Sequence, residues 1–227
     1  ESIAASKHPA ETRALAIRAL GLVREPALRG AINRWVRDPE AAVRSAATVL
    51  LADFPGAAAD EQLTALASDP EPGVRPGVAR ASGYSQQKQL VEILGYLLID
   101  KDAPVRRVAS ASLLSFAPTN QAVARVLEAN LGNKEFEPLF LNALARENPD
   151  RYIDALARAV EEKLEPSNWG GGEIPAFTAW KMLFRYRQAQ PSEILNSGKM
   201  DRYLDALEKV GNYGSSEPRD IYAFYLQ

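Results

Sequence analysis

The side chains able to do chemistry are few in kind. The chain of 227 residues holds one histidine, His8, and no cysteine. A His-Glu-x-x-His zinc site needs two imidazoles on one helix face, and a Ser-His-Asp hydrolase needs one held between its partners. His8 stands alone ahead of the first helical pattern and reads as a solvent-facing residue. Without cysteine there is no thiol nucleophile, thiolate metal site or disulfide, and the redox compartment stays open. Ser197-Gly198-Lys199 lacks the upstream glycine of a phosphate loop and follows no strand pattern. Glu161-Glu162 reads as part of a solvated helix face, on which Asp154, Arg158 and Glu162 are favourable neighbours four residues apart. The sequence therefore predicts no catalytic set, no metal and no cofactor.

Two segments are chemically distinctive. In "NWGGGEIP", three glycines between Trp169 and Glu173 allow a close backbone approach, so these two residues are candidates for holding a polar ligand or a partner's chain. The plainer reading is a long inter-helix connection whose Trp tucks into a crevice. "WKMLFRYRQ", residues 180 to 188, mixes rings and cations, which can stack bases and touch phosphates. Helical spacing places Trp180, Leu183 and Phe184 on one face, however, which makes the rings core and leaves Lys181 and Arg185 solvated. The net charge is −2; residues 1 to 130 carry 15 basic against 14 acidic groups, and the remainder 12 against 15. Neither part offers a polyanion a broad field, so nucleic acid and acidic lipid are disfavoured as partners.

The elements that must position these groups come from a repeat. Val43-Arg44, Val74-Arg75 and Val105-Arg106 recur every 31 residues, with Thr12-Arg13 one row earlier. Asp38, Asp69 and Asp100 head three of the rows. Leu15, Ala46, Gly77 and Val108 share a column, as do Leu20, Leu51 and Leu113, with Ser82 the exception. A period of this size marks a solenoid of stacked units. Each row reads as two helices. Asp is a good N-cap and Pro suits the first helical position. Val43, Ala46, Ala47, Leu50 and Leu51 trace one apolar face. Gly21 and Gly83 stand where a left-handed residue would end the helix, and Pro55 and Pro118 forbid its continuation. Shorter second helices are expected, for instance over 59–68 and 86–99, with Ile32, Leu63 and Leu94 in one column and Trp35, Leu66 and Leu97 in the next. The expected class is all-α, an α-α superhelix: a right-handed solenoid of antiparallel helix pairs.

"DPEAAVRSAATVLLADFP" and "SDPEPGVRPGVARASGYS" resemble the Asp-Pro-x-x-x-Val-Arg signature of HEAT-like repeats, including the variety seen in phycobilisome-lyase-type proteins. The resemblance covers roughly residues 5 to 130 as four rows. It implies a structural ladder between rows, with Arg13, Arg44, Arg75 and Arg106 as its arginines and Asp38, Asp69 and either Asp100 or Asp102 as their partners. The first row departs, with "HPAETR" in place of Asp-Pro, as befits a cap. The single histidine argues against the HEAT-repeat iron hydroxylases, whose metal ligands include several.

After residue 130 the beat fades while helical pairing continues. "FEPLFLNALAR" is one amphipathic helix, and "NPDRYIDALARAVEEKL" another, with Asn148 as N-cap. Residues 131–227 are read as diverged repeats continuing the solenoid, with a separate small helical domain as the alternative. "DIYAFYLQ" ends inside a helical pattern without a stop signal, from which we expect a longer parent polypeptide. No run of about 18 apolar residues is present. The sequence predicts a soluble chain and chooses no compartment.

The function expected is a non-catalytic scaffold of HEAT-repeat type that binds a protein segment on its concave face, in trans or in cis. Arg18, Thr48, Arg80 and Arg107 point away from the stack in this reading, and arginines there suit a carboxylate-rich segment. The alternatives are an accessory domain of a larger bacterial enzyme, such as a secreted hydrolase, and a HEAT-like DNA glycosylase or lyase.

Overall fold

The computed structural model describes residues 7–84, 87–116 and 118–148, together with Arg151, Tyr152, Asp154, Ala155 and Arg158. Among the described residues the regular structure is helical throughout. The chain divides into two compact units, Glu1–Val126 and Leu127–Gln227.

In the first unit the helices alternate between two layers. The odd layer holds α1 (Ala10–Gly21), α3 (Ala41–Leu50), α5 (Arg75–Ser82) and α7 (Ala103–Leu114). The even layer holds α2 (Leu28–Trp35), α4 (Ala57–Leu66) and α6 (Lys88–Leu97). Each odd helix packs on the next odd helix, α1 on α3, α3 on α5 and α5 on α7, while the even helices lie against the odd ones and α4 against α6. This is the stacking of a helical-repeat solenoid. None of these helices could bury its apolar stripe alone; each takes cover from its neighbours. Val43, Ala46, Ala47, Leu50 and Leu51 are all buried, as are Ile32, Leu63 and Leu94, and Trp35, Leu66 and Leu97.

Small residues fix how closely the odd helices approach. Neither Gly21 nor Gly83 adopts the left-handed conformation expected from the sequence. Gly21 lies inside α1 with the right-handed cap Leu22 after it, and Gly83 has φ −70°. Their role is contact. A Cβ on Gly21 would overlap Leu50 Cδ2, and one on Gly83 would stand 2.9 Å from Ser112 Cβ. Gly77 lies against Thr48 less tightly: a Cβ there would make ordinary contact, 3.4 Å from Thr48 Cγ2.

The aspartates that head the rows do not cap the helices either. The N-cap positions of α3, α5 and α7 are Glu40, Val74 and Asp102. Asp38, Asp69 and Asp100 lie further upstream and accept the amide two residues on, from Glu40, Glu71 and Asp102 at 2.9, 3.0 and 2.8 Å. Pro39 and Pro70 therefore belong to a tight turn rather than to the first helical position. Pro76 and Pro104 do occupy the first turns of α5 and α7, where a missing amide costs nothing. The second helices of rows two and three run Ala57–Leu66 and Lys88–Leu97, a little displaced from expectation.

Helix α8 (Gln121–Ala129) is capped by Asn120, whose Oδ1 accepts the Ala122 amide at 2.8 Å. In the second unit α9 (Glu137–Glu147) buries Phe140, Leu141 and Leu144, and the Phe136 and Phe140 rings stack with centroids 5.7 Å apart. Asn148 Oδ1 accepts the Arg151 amide at 3.2 Å, opening the helical backbone seen at Arg151, Tyr152, Asp154, Ala155 and Arg158.

Candidate interaction surface

Arginine serves two different ends in the first unit, and burial separates them. Arg13, Arg44 and Arg75 each reach the aspartate of the following row. Arg13 grips Asp38 through two hydrogen bonds of 2.6 and 3.1 Å. Arg44 holds Asp69 at 2.7 and 2.9 Å, and Arg75 holds Asp100 at 2.6 and 2.8 Å. Asp102 is not the partner; it supplies the amide that Asp100 accepts. The remaining guanidinium nitrogen turns back to the carbonyl of its own row's aspartate: Arg44 to Asp38 at 2.9 Å, Arg75 to Asp69 at 2.8 Å and Arg106 to Asp100 at 2.9 Å. The Arg44 and Arg75 guanidinium groups thus fasten the turn that starts their own helix to the turn that starts the next. A planar fork with five donors can do this; an ammonium cannot. The position matching these aspartates in the row after Arg106 is Leu131.

Electrostatics follows from the geometry. Burial pushes the Asp38, Asp69 and Asp100 carboxyls up, but the arginine hydrogen bonds, the turn amides and the neighbouring positive charge outweigh it. All three are held below the usual carboxylate range. The hydrogen bonds to these carboxylates in turn raise Arg13, Arg44 and Arg75. The rungs tighten inward: the side chains of Arg75 and Asp100 are 6% and 7% exposed, those of Arg13 and Asp38 15% and 13%.

The other arginines of the odd layer face water. Arg18, Arg80 and Arg107 are exposed. Their guanidinium groups meet no hydrogen-bond or ion-pair partner among the described residues. Arg80 and Arg107 come together on one groove of about 450 Å³ between α5 and α7, lined also by Gly83, Tyr84, Val108, Ala111, Ser112 and Ser115. Thr48 does not join this surface. It is fully buried, with its hydroxyl donating to the Arg44 carbonyl at 2.7 Å and its methyl against Gly77. Back-bonding inside the helix satisfies the hydroxyl and frees the methyl to fill the α3–α5 seam. Trp169 and Glu173 lie outside the described residues.

Several interacting residues were not foreseen. Tyr84 is exposed beside Arg80, and Tyr96 and Ile99 are exposed beside a second groove of about 430 Å³ at the Arg75–Asp100 rung. Glu137 stands 31 residues after Arg106, in the arginine column, and accepts from Arg158 at 2.8 Å while itself buried. The repeat register was enough to find Glu137. Tyr152 donates its hydroxyl to Glu128; burial and that bond push its pKa up to about 12. Among the described residues no group of three His, Cys, Asp or Glu side chains is placed to share a metal ion. No described helix is long and apolar enough to cross a membrane.

Stacked helix pairs, a 31-residue beat and a rung of Arg and Asp between rows converge on one architecture, and residues 2–75 match the family model for HEAT repeats. Residues 2–75 are HEAT-like repeats. The match is to HEAT repeats as a class, and the remaining rows of the first unit repeat the same helix pairing beyond the matched residues. No curated protein matches the chain significantly. HEAT repeats serve in general as protein-interaction modules, which directs attention to surfaces, such as the odd-helix face, rather than to an active site.

Proposed function

We propose that this protein, with its HEAT-like repeats, is a non-catalytic scaffold that binds a protein segment along the concave face, formed by the odd helices. One observation carries this reading. Of the seven arginines that the odd-helix register supplies, Arg13, Arg44, Arg75 and Arg106 are drawn into bonds between or within rows, while Arg18, Arg80 and Arg107 are displayed to solvent. Arginine is commonly exposed on any protein surface; what favours binding here is that three arginines, unpaired among the described residues, recur along one helix layer. Guanidinium groups exposed along one helix layer offer paired hydrogen bonds to a partner's carboxylates. We take residues 131–227 to be diverged repeats, with a separate small helical domain as the alternative; Glu137 keeps the place of the arginine column in the 31-residue register.

The test is position-resolved cross-linking. A photoreactive amino acid placed at Val49 or Ala111, both exposed on odd helices, is compared with one at Glu61, exposed on α4. In extract of the source cell, the odd-helix positions should yield the same cross-linked protein, identified by mass spectrometry, and Glu61 should not. Equal yields from both layers, or none from the odd one, would contradict the proposal.

A further inference from the structure

The repeat register makes the three grooves between odd helices comparable, and they are not alike. Arg18, Val49 and Arg80 share one column, and Ser45, Pro76 and Arg107 share the column that faces it from the next helix. The α1–α3 groove therefore sets one arginine against a serine, and the α3–α5 groove sets a valine against a proline. The α5–α7 groove alone of these three sets arginine against arginine. Arg80 and Arg107 both line it, and no carboxylate is among its lining residues. One row earlier the position of Tyr84 is taken by Asp53, whose carboxylate is spent on Arg24 at 3.0 Å. Tyr84 itself is 76% exposed, a large ring held beside two cations with nothing over it among the described residues.

Two guanidinium groups sharing a groove without a counter-charge repel each other, and a ligand with two acidic groups relieves that repulsion. Adjacent helices lie roughly 8–10 Å apart. Along an extended chain, alternate side chains fall on one face about 6–7 Å apart. Two long arginine side chains, one from each helix, converge readily over that span. Val108 and Ala111 provide an apolar floor next to the cations, and Ser112 a hydroxyl.

We propose that the α5–α7 groove docks an extended acidic segment of a partner protein, with two carboxylates on alternate residues held by Arg80 and Arg107 and a nearby apolar side chain laid on Tyr84, Val108 and Ala111. This rests on the scaffold reading and narrows it to one groove and one kind of sequence. The rest of the odd-helix face then orients the segment without setting its charge.

The experiment is an amide-resolved NMR titration of the full chain with two peptides at moderate salt. One has an Asp-Thr-Asp-Thr-Leu core and the other Asn-Thr-Asn-Thr-Leu. The acidic peptide should shift resonances of residues 80–84 and 107–115, and should bind at least tenfold more tightly than its amide analogue. Arg80→Ala and Arg107→Ala should each weaken it about tenfold, while Arg34→Ala, on the even layer, should leave it unchanged. Both groove arginines are exposed, so the variants keep the fold. In Arg80→Glu/Arg107→Glu the preference should pass to a Lys-Thr-Lys-Thr-Leu peptide. No preference between the Asp and Asn cores overturns the proposal, as does stronger binding of inorganic phosphate or duplex DNA at the same residues. If the peptide fails while the cross-link from Val49, which lies outside this groove, persists, the groove assignment alone falls; if both fail, the scaffold reading falls with it.

Discussion

Removing Asp100 should cost the array far more than removing an exposed carboxylate. Arg75 gives Asp100 two hydrogen bonds and a third to the Asp69 carbonyl, with the Arg75 and Asp100 side chains 6% and 7% exposed. Asp100→Ala leaves a guanidinium enclosed without its counter-charge, and leaves the Asp102 amide without its acceptor. Losing one partner of a buried pair costs about 3–5 kcal/mol. The comparison is Glu92→Ala, which breaks a pair with Lys88 at 3.5 Å between side chains 59% and 75% exposed; that change should cost about 0.3–0.5 kcal/mol. At roughly 2–4 °C per kcal/mol for a chain of this size, Asp100→Ala should lower Tm by about 6–20 °C and Glu92→Ala by about 1–2 °C. Urea unfolding followed by far-UV circular dichroism gives the free energies, with an unchanged m-value confirming that the denatured state is not the source. The double variant Arg75→Met/Asp100→Ala removes the stranded charge and should cost less than the sum of the single changes, by about 1–3 kcal/mol. If Asp100→Ala costs no more than Glu92→Ala, or if the two ladder changes simply add, the rung does not tie the rows as described.

Three further outcomes follow from the packing. Gly83→Ala should destabilise by about 1–3 kcal/mol through overpacking against Ser112, whereas Gly30→Ala, with nothing within 4 Å of the added Cβ, should stabilise α2 by up to about 1 kcal/mol; urea midpoints decide both. Ser82 has a fully buried hydroxyl without a partner among the described residues, so Ser82→Ala should raise stability by about 1 kcal/mol in the same assay. The ladder carboxyls have folded pKa values below their unfolded value of about 3.9. Protonation therefore favours the unfolded chain, and their contribution is present above about pH 4–5 and lost as pH falls through the depressed folded values. Thermal unfolding across that acid range should show a steep loss of Tm in the native chain and a shallower one in Asp100→Asn; parallel curves would refute the assignment.

The architecture was legible because a fixed period turns sequence columns into spatial lines. Val43, Leu63 and Leu94 could be placed in the core before any coordinates, and the aspartate and arginine columns could be joined through the family resemblance. What misled was local chemistry with two uses. Asp before Pro is both a helix cap and a turn acceptor, and in Asp38, Asp69 and Asp100 the turn and the arginine took the carboxylate, displacing the cap to a residue downstream. Glycine near a helix end is both a left-handed stop and a place for close approach, and at Gly21 and Gly83 the neighbouring row decided for approach. Thr48 looked displayed on the helical wheel because a wheel shows one helix, whereas its burial comes from Gly77 of the next. The convergence of Arg80 and Arg107 on one groove has the same origin: the two residues come from different rows and different columns, and only the stacking distance joins them.

The central claim is that the rows stack in register, so that residues far apart in sequence form one surface. The absence of native cysteine lets it be tested by spin labels on cysteines placed at Arg18 and Arg80, two rows apart on odd helices. Neighbouring odd helices about 8–10 Å apart predict a single narrow distance distribution centred near roughly 16–20 Å, widened only by the label arms. A broad distribution, or one centred well beyond that range, would contradict the stack and everything placed upon it.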